Sequence, residues 1–154
     1  MKPTTHVVRF PGRSIVLASA WYDLAVTVAF ATPWTATLFL ASLKTVQASL
    51  GVGGDPLPDF EPAHLFFVGL LGSTVTMWSV IRLLRPSAFL GRADGVNRLA
   101  FSAWMVWALA NGASHLLAVF LVVELAWGIL QLTRVKEGES GTGSPGHHPR
   151  AVPA

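Results

Sequence analysis

Three long blocks of the chain are almost free of charge, and polar positions inside them are few enough to count. Ser14 to Leu43 is thirty residues with Asp23 the only charge, Pro62 to Ile81 has no Asp, Glu, Lys or Arg, and Leu99 to Thr133 has only Glu124. Each block reaches or exceeds the roughly 20 residues that cross a hydrocarbon core. The third is about twice that length and is interrupted by Asn111-Gly112, a turn signal, so it reads as two helices. The pattern predicts an all-α membrane protein, a four-transmembrane-helix bundle with spans at 14–43, 62–84, 95–111 and 113–134. The first span is too long for one straight crossing. It must tilt, extend past the bilayer or bend, and Pro33 offers the bend by removing a backbone hydrogen bond.

Composition supports this class: 52% of the 154 residues are hydrophobic and 12% charged, which is extreme for a soluble domain. The basic N-terminal stretch "MKPTTHVVRFPGR" before an apolar run invites a signal-peptide reading, with Ala18-Ser19-Ala20 as the cleavage site. At most four apolar residues, Ile15 to Ala18, precede that site, against the roughly 7–15 of a signal core. The expectation is an uncleaved first helix.

Charge then sets the threading. Lys2, Arg9 and Arg13, then Arg82, Arg85, Arg92 and Arg98, then Arg134, Lys136 and Arg150 place ten of eleven basic residues on one side of four alternating helices. Lys44 alone lies on the other, among Asp55, Asp59 and Glu61. Because Lys and Arg favour cytoplasmic loops, both ends are expected in the cytoplasm, in a multi-pass protein of the inner (cytoplasmic) membrane. Residues 1–13 form the cytoplasmic N-terminal segment, and 135–154 read as a disordered cytoplasmic tail, too poor in apolar surface to fold. The tail's His147 and His148 read as a solvated pair. The high pI of about 10.0 is thereby a topology signal, and no nucleic-acid binding is expected. The absence of cysteine excludes disulfides and thiolate metal sites.

The two isolated acids carry the chemistry. Asp23 lies nine residues past Ser14, roughly 13 Å along a helix, and Glu124 lies ten before Arg134, roughly 15 Å from the same membrane face. Intramembrane acids cost roughly 2.5–3.5 kcal/mol each on insertion scales, so both should face the interior and have partners. Small and polar stripes agree: Ser19, Asp23, Thr27 and Ala31; Gly69, Gly72, Ser73, Thr76 and Ser79; Glu124, Gly128 and Gln131. In a functional reading, Asp23 and Glu124, with Arg82, Arg98 and Gln131, line a site for a cation, a proton or a polar ligand head. In a structural reading, the same acids pair with Arg82 and Arg98 in a tight bundle without a cavity. Trp21, Trp104 and Trp127 stand on the cytoplasmic half, either as a belt or as walls of a pocket for an amphiphilic cation. His64 and His115 begin the second and fourth spans and are weak candidates for a metal or haem b.

Two short echoes, "WSVIRLLR" at 78–85 with "WGILQLTR" at 127–134 and "SAW" at 19–21 with 102–104, raise the question of a duplicated hairpin. The chain has the size of small multidrug exporters, but "WYDLAV" does not match their glutamate-centred motif. The four-helix plan is similar to that of DoxX-like membrane proteins, which implies quinone or sulfur redox chemistry by architecture alone. Three functions are carried forward: a small-molecule-binding or accessory subunit, a proton- or cation-coupled transporter, and a haem- or quinone-linked redox subunit. The first needs only the polar centre and the aromatics, and is preferred. With it go no resident cofactor, the lipid bilayer as partner, and a homo-oligomer or larger membrane complex as an open question. No nucleophile–base pair suggests an enzyme.

Overall fold

The computed structural model describes residues 10–137, which form five α-helices and, among the described residues, no strand. The helices are α1 (Arg13–Thr27), α2 (Pro33–Leu50), α3 (Pro62–Leu84), α4 (Ala88–Ala110) and α5 (Leu117–Arg134), with a 3-10 turn, Val28–Phe30, after α1. Residues 1–9 of the expected N-terminal segment 1–13, and most of the expected tail, with His147 and His148, lie outside the described residues.

Three segments are long and apolar enough to cross a membrane: Arg13–Phe30, α3 and α5. α4 matches α3 in length at 23 residues, but Arg92, Asp94 and Arg98 fall within it and lower its apolar character.

The first expected span, 14–43, is two helices rather than one. Thr27 Oγ1 bonds back to the Asp23 carbonyl at 2.7 Å, a contact that competes with regular helix, and the chain tightens into the 3-10 turn. Thr32, preceding proline, is driven to extended backbone (φ −132°, ψ 149°). Its hydroxyl accepts from the Thr35 amide at 3.2 Å, and Pro33 occupies the first turn of α2, where its missing N–H costs nothing. Pro33 thus starts a helix instead of bending one.

The third expected span begins earlier than residue 95. Ser87 Oγ caps the Leu90 amide at 3.1 Å, so Arg92 and Asp94 become helical. The fourth begins later than 113. Residues 112–115 are stitched to the loop after α2 by Asp55 N donating to Gly112 O (2.7 Å) and His115 N to Gly53 O (2.9 Å). The tail expected from residue 135 begins as part of the fold: Val135 is buried with Phe10, Val16 and Ala88, and the Lys136 amide donates to Pro11 O at 3.2 Å. Gly12, at φ 86°, lets the entering chain pass against Arg134 and Val135 where a Cβ would collide.

α1 packs along α3 and α4 along α5, with α1 also touching α4 and α5. Only Arg85–Ser87 join α3 to α4, and these two helices touch little elsewhere. Gly72 of α3 lies against the backbone of Phe30, in the 3-10 turn that follows α1. α2 starts beside the first half of α3, where Pro33 shares a groove with Leu65 and Gly69. Its far end is held through Gln47 Nε2 to Asp55 O at 3.3 Å.

Apart from the small cluster around Val16 and the buried Ala20, Ala36 and Leu40, the interior is polar. Arg82, Gln131, Ser19 and Ser79 are fully buried, while Trp34, Leu38, Phe67, Leu84 and Phe89 face outward. Apolar outside and hydrogen-bonded inside is the distribution that lipid as solvent selects.

Candidate functional site

Helix periodicity explains how the buried polar set assembles. Ser19 and Asp23 on α1, Ser79 and Arg82 on α3, Asp94 and Arg98 on α4, and Glu124 and Gln131 on α5 each lie three to seven residues apart, on one face of their helix. All eight are buried.

Arg98 binds three acids at once. Its Nε donates to Asp94 Oδ2 (3.0 Å), Nη1 to Glu124 Oε2 (2.6 Å), and Nη2 to Asp23 Oδ1 and Oδ2 (2.7 and 2.6 Å). Arg82 donates through Nη2 to Asp23 Oδ2 and through Nη1 to Asp94 Oδ2 (2.5 Å) and Ser19 Oγ (3.2 Å). Gln131 Nε2 reaches Ser19 Oγ (2.7 Å) and Asp94 Oδ2 (2.8 Å). Trp78 closes the set: its indole N–H donates to Asp94 Oδ1 at 2.8 Å, and its ring lies 5.9 Å from the Arg82 guanidinium carbon. Desolvating each ion costs several kcal/mol, which only such multiply bonded geometry offsets. Three carboxylates face two guanidinium groups, leaving one formal negative charge.

Beside this set lies a cleft of about 1020 Å³ between α3 and α4, backed by α1 and α5 and reaching Leu40 of α2. Its walls are mostly apolar. Asp23, Asp94, Arg98 and Glu124 form its polar floor. Three polar groups on it accept or donate no hydrogen bond with any described residue: the Tyr22 hydroxyl, the Asn97 amide and Glu124 Oε1. Buried and equally without a partner among the described residues are Arg82 Nε, Gln131 Oε1, Thr76 Oγ1 and Ser102 Oγ.

Of the residues singled out from sequence, Asp23, Glu124, Arg82, Arg98 and Gln131 converge here. The acids pair with the arginines, as the structural reading expects, yet a cavity stands next to them, as the functional reading expects. The tryptophans divide. Trp104 lines the cleft; Trp21 is 62% exposed on the outer surface, and Trp127 packs behind Tyr22 at 6.2 Å between ring centroids.

His64 works in the cap of α3. Its Nδ1 accepts from the Glu61 amide at 3.2 Å while the Glu61 side chain caps in return. His115 is exposed beside Gly53. Among the described residues no three His, Asp or Glu side chains are grouped to hold a metal ion.

Sequence reasoning missed Asp94, the acceptor of four side chains, together with Trp78, Tyr22 and Asn97. The available signal was Pro86-Ser87, a helix-start pair that moves Asp94 from a loop into a helix four residues before Arg98. No family model, curated relative or solved structure matches the chain.

Proposed function

We propose that this chain is a multi-pass protein of the inner membrane, with α1, α3, α4 and α5 crossing and both ends cytoplasmic, that binds a small molecule in the cleft between α3 and α4. The observation that carries the reading is one of position: the large apolar cleft and the buried ionic set share a surface. An apolar cavity with a few convergent polar groups is the usual form of a ligand site. Ionisable residues at membrane depth are costly to keep without a task. The positive-inside distribution favours the cytoplasmic half for this polar floor, and α4 tolerates Asp94 and Arg98 because they point at partners rather than at lipid.

Native mass spectrometry of protein extracted in mild detergent tests the reading. A small-molecule mass should travel with the protein and be lost on Val75→Trp, which fills the cleft wall, while Trp21→Ala on the outer surface retains it. Equal retention in Val75→Trp overturns the proposal.

One observation favours a second reading, a cation- or proton-coupled transporter: the third carboxylate has no guanidinium of its own. Uptake by proteoliposomes that depends on an imposed pH gradient, and vanishes in Glu124→Gln, would move this reading ahead.

A further inference from the structure

We propose that the cleft takes an amphiphile with a protonated amine head, seated on Glu124 Oε1 between the Tyr22 hydroxyl and the Asn97 amide, with its apolar body between α3 and α4. The inference rests on the small-molecule reading above and names the ligand's chemical class.

Glu124 is only 8% exposed, and one of its oxygens is committed to Arg98 at 2.6 Å. The other, on the cleft, accepts from no described residue. That oxygen is not sealed inside the bundle, so a ligand can reach it, and a carboxylate oxygen without a donor beside apolar walls is expensive. Tyr22 and Asn97 supply acceptor atoms on the same cleft, and an ammonium offers three donors and no acceptor.

The charge count points the same way. Two arginines against three acids leave one negative charge, which a cationic head neutralises and a neutral head does not. An anionic head finds no free cation on the cleft, since Arg82 is wholly buried, Arg98 is 2% exposed, and both are engaged by carboxylates. The aromatic faces of Tyr22, Phe101 and Trp104 on the cleft add cation–π attraction.

The body of the ligand follows from the walls. Val68, Val75, Phe101, Met105 and Phe120 make them apolar. Leu71 and Trp104, at the mouth, are exposed on the lipid-facing surface. A molecule entering there comes sideways from the bilayer, which selects an amphiphile over a water-soluble cation.

The test uses the full chain in phosphatidylcholine nanodiscs at pH 7, with decylamine and decanol as probes and protein-free nanodiscs to subtract partitioning. Decylamine is protonated at this pH, as an aliphatic amine titrating near 10 must be. Saturable decylamine binding is expected, about tenfold tighter than decanol and about tenfold weaker in Glu124→Gln, the effect of one charge-assisted hydrogen bond. If Glu124→Gln does not fold, Tyr22→Phe and Asn97→Leu replace it. Both leave the contacts of Arg98 intact and should reduce the preference for the amine. Equal binding of amine and alcohol, or a preference unchanged in these variants, overturns the amine assignment while the small-molecule reading stands. Binding of neither probe above bare nanodiscs, together with no ligand retained on purification, overturns both.

Discussion

Arg82 of α3 and Gln131 of α5 donate to the same two acceptors, Ser19 Oγ and Asp94 Oδ2. They occupy the same place in the two echoed segments, four residues after Trp78 and Trp127. Both are fully buried. The two echoed segments thus bring an arginine and an uncharged glutamine to the same pair of acceptors. With glutamine at the second position, three carboxylates share two guanidinium groups, and Glu124 bonds only Arg98.

Asp94 should be the most costly acid to lose. Four side chains converge on it, so Asp94→Asn leaves donors of two arginines unmatched, a loss of about 3–5 kcal/mol for a broken buried pair. Thermal unfolding in detergent checks this. A smaller loss than for Glu124→Gln, which breaks one contact to Arg98, would contradict the geometry.

Asp23 and Glu124 touch through Arg98 rather than directly. Asp23→Asn and Glu124→Gln should then be non-additive in thermal stability by more than about 0.5 kcal/mol, the limit for independent sites. Additivity within that limit would mean that Arg98 does not couple them.

Two glycines on α3 separate packing from propensity. Gly72 lies against the Phe30 backbone, where a methyl group has no room, whereas a Cβ at Gly69 meets open space. Gly72→Ala should destabilise by about 1–3 kcal/mol through overpacking. Gly69→Ala should be neutral or stabilising by up to about 1 kcal/mol. The reverse order of melting temperatures would place the contact between α3 and the 3-10 turn elsewhere.

Lys44 of α2 bonds an exposed acid in the loop after that helix: its Nζ lies 2.5 Å from Asp59 Oδ1. That hydrogen bond, aided by the lysine's charge, holds the Asp59 carboxyl below its ordinary value of 3.8. A depressed pKa means the contact contributes above the unfolded value and is lost as pH falls through the folded one. NMR titration should show Asp59 below 3.8 in the native chain and returning toward it in Lys44→Met. No change would dissolve the pair.

Topology has a direct check in a chain without cysteine. Ser49→Cys should react with an impermeant maleimide in intact cells, and Ser144→Cys only after lysis. Labelling of the second site in intact cells overturns the cytoplasmic assignment of the ends.

Much of this molecule was legible because lipid simplifies the code. A charge within a long apolar block has to find a partner, which makes Asp23 and Glu124, with Arg82 and Arg98 at the block ends, readable from the sequence. The misses have local causes. Asp94 looked like loop because its neighbours Arg92 and Arg98 resemble a cytoplasmic cluster, and only the Ser87 cap shows the helix beginning earlier. Pro33 was read as a bend since proline within an apolar run is ambiguous, and the extended conformation it forces on Thr32 decides for a break. The cleft was illegible: it depends on how far α3 and α4 part beyond their three-residue connection, a tertiary quantity that no periodicity encodes.

The long reach of the Asp23 contacts also fixes an order of assembly. Its partners, Arg82 and Arg98, lie 59 and 75 residues further along the chain, so if α1 crosses the bilayer as proposed, it is made before either exists. Until α3 arrives, that carboxylate must wait protonated, hydrated at the interface, or sheltered by the insertion machinery. In the membrane reading proposed above, a chain ending before residue 82 therefore holds Asp23 without either arginine, and the carboxylate meets its partners only when a later helix comes back to it.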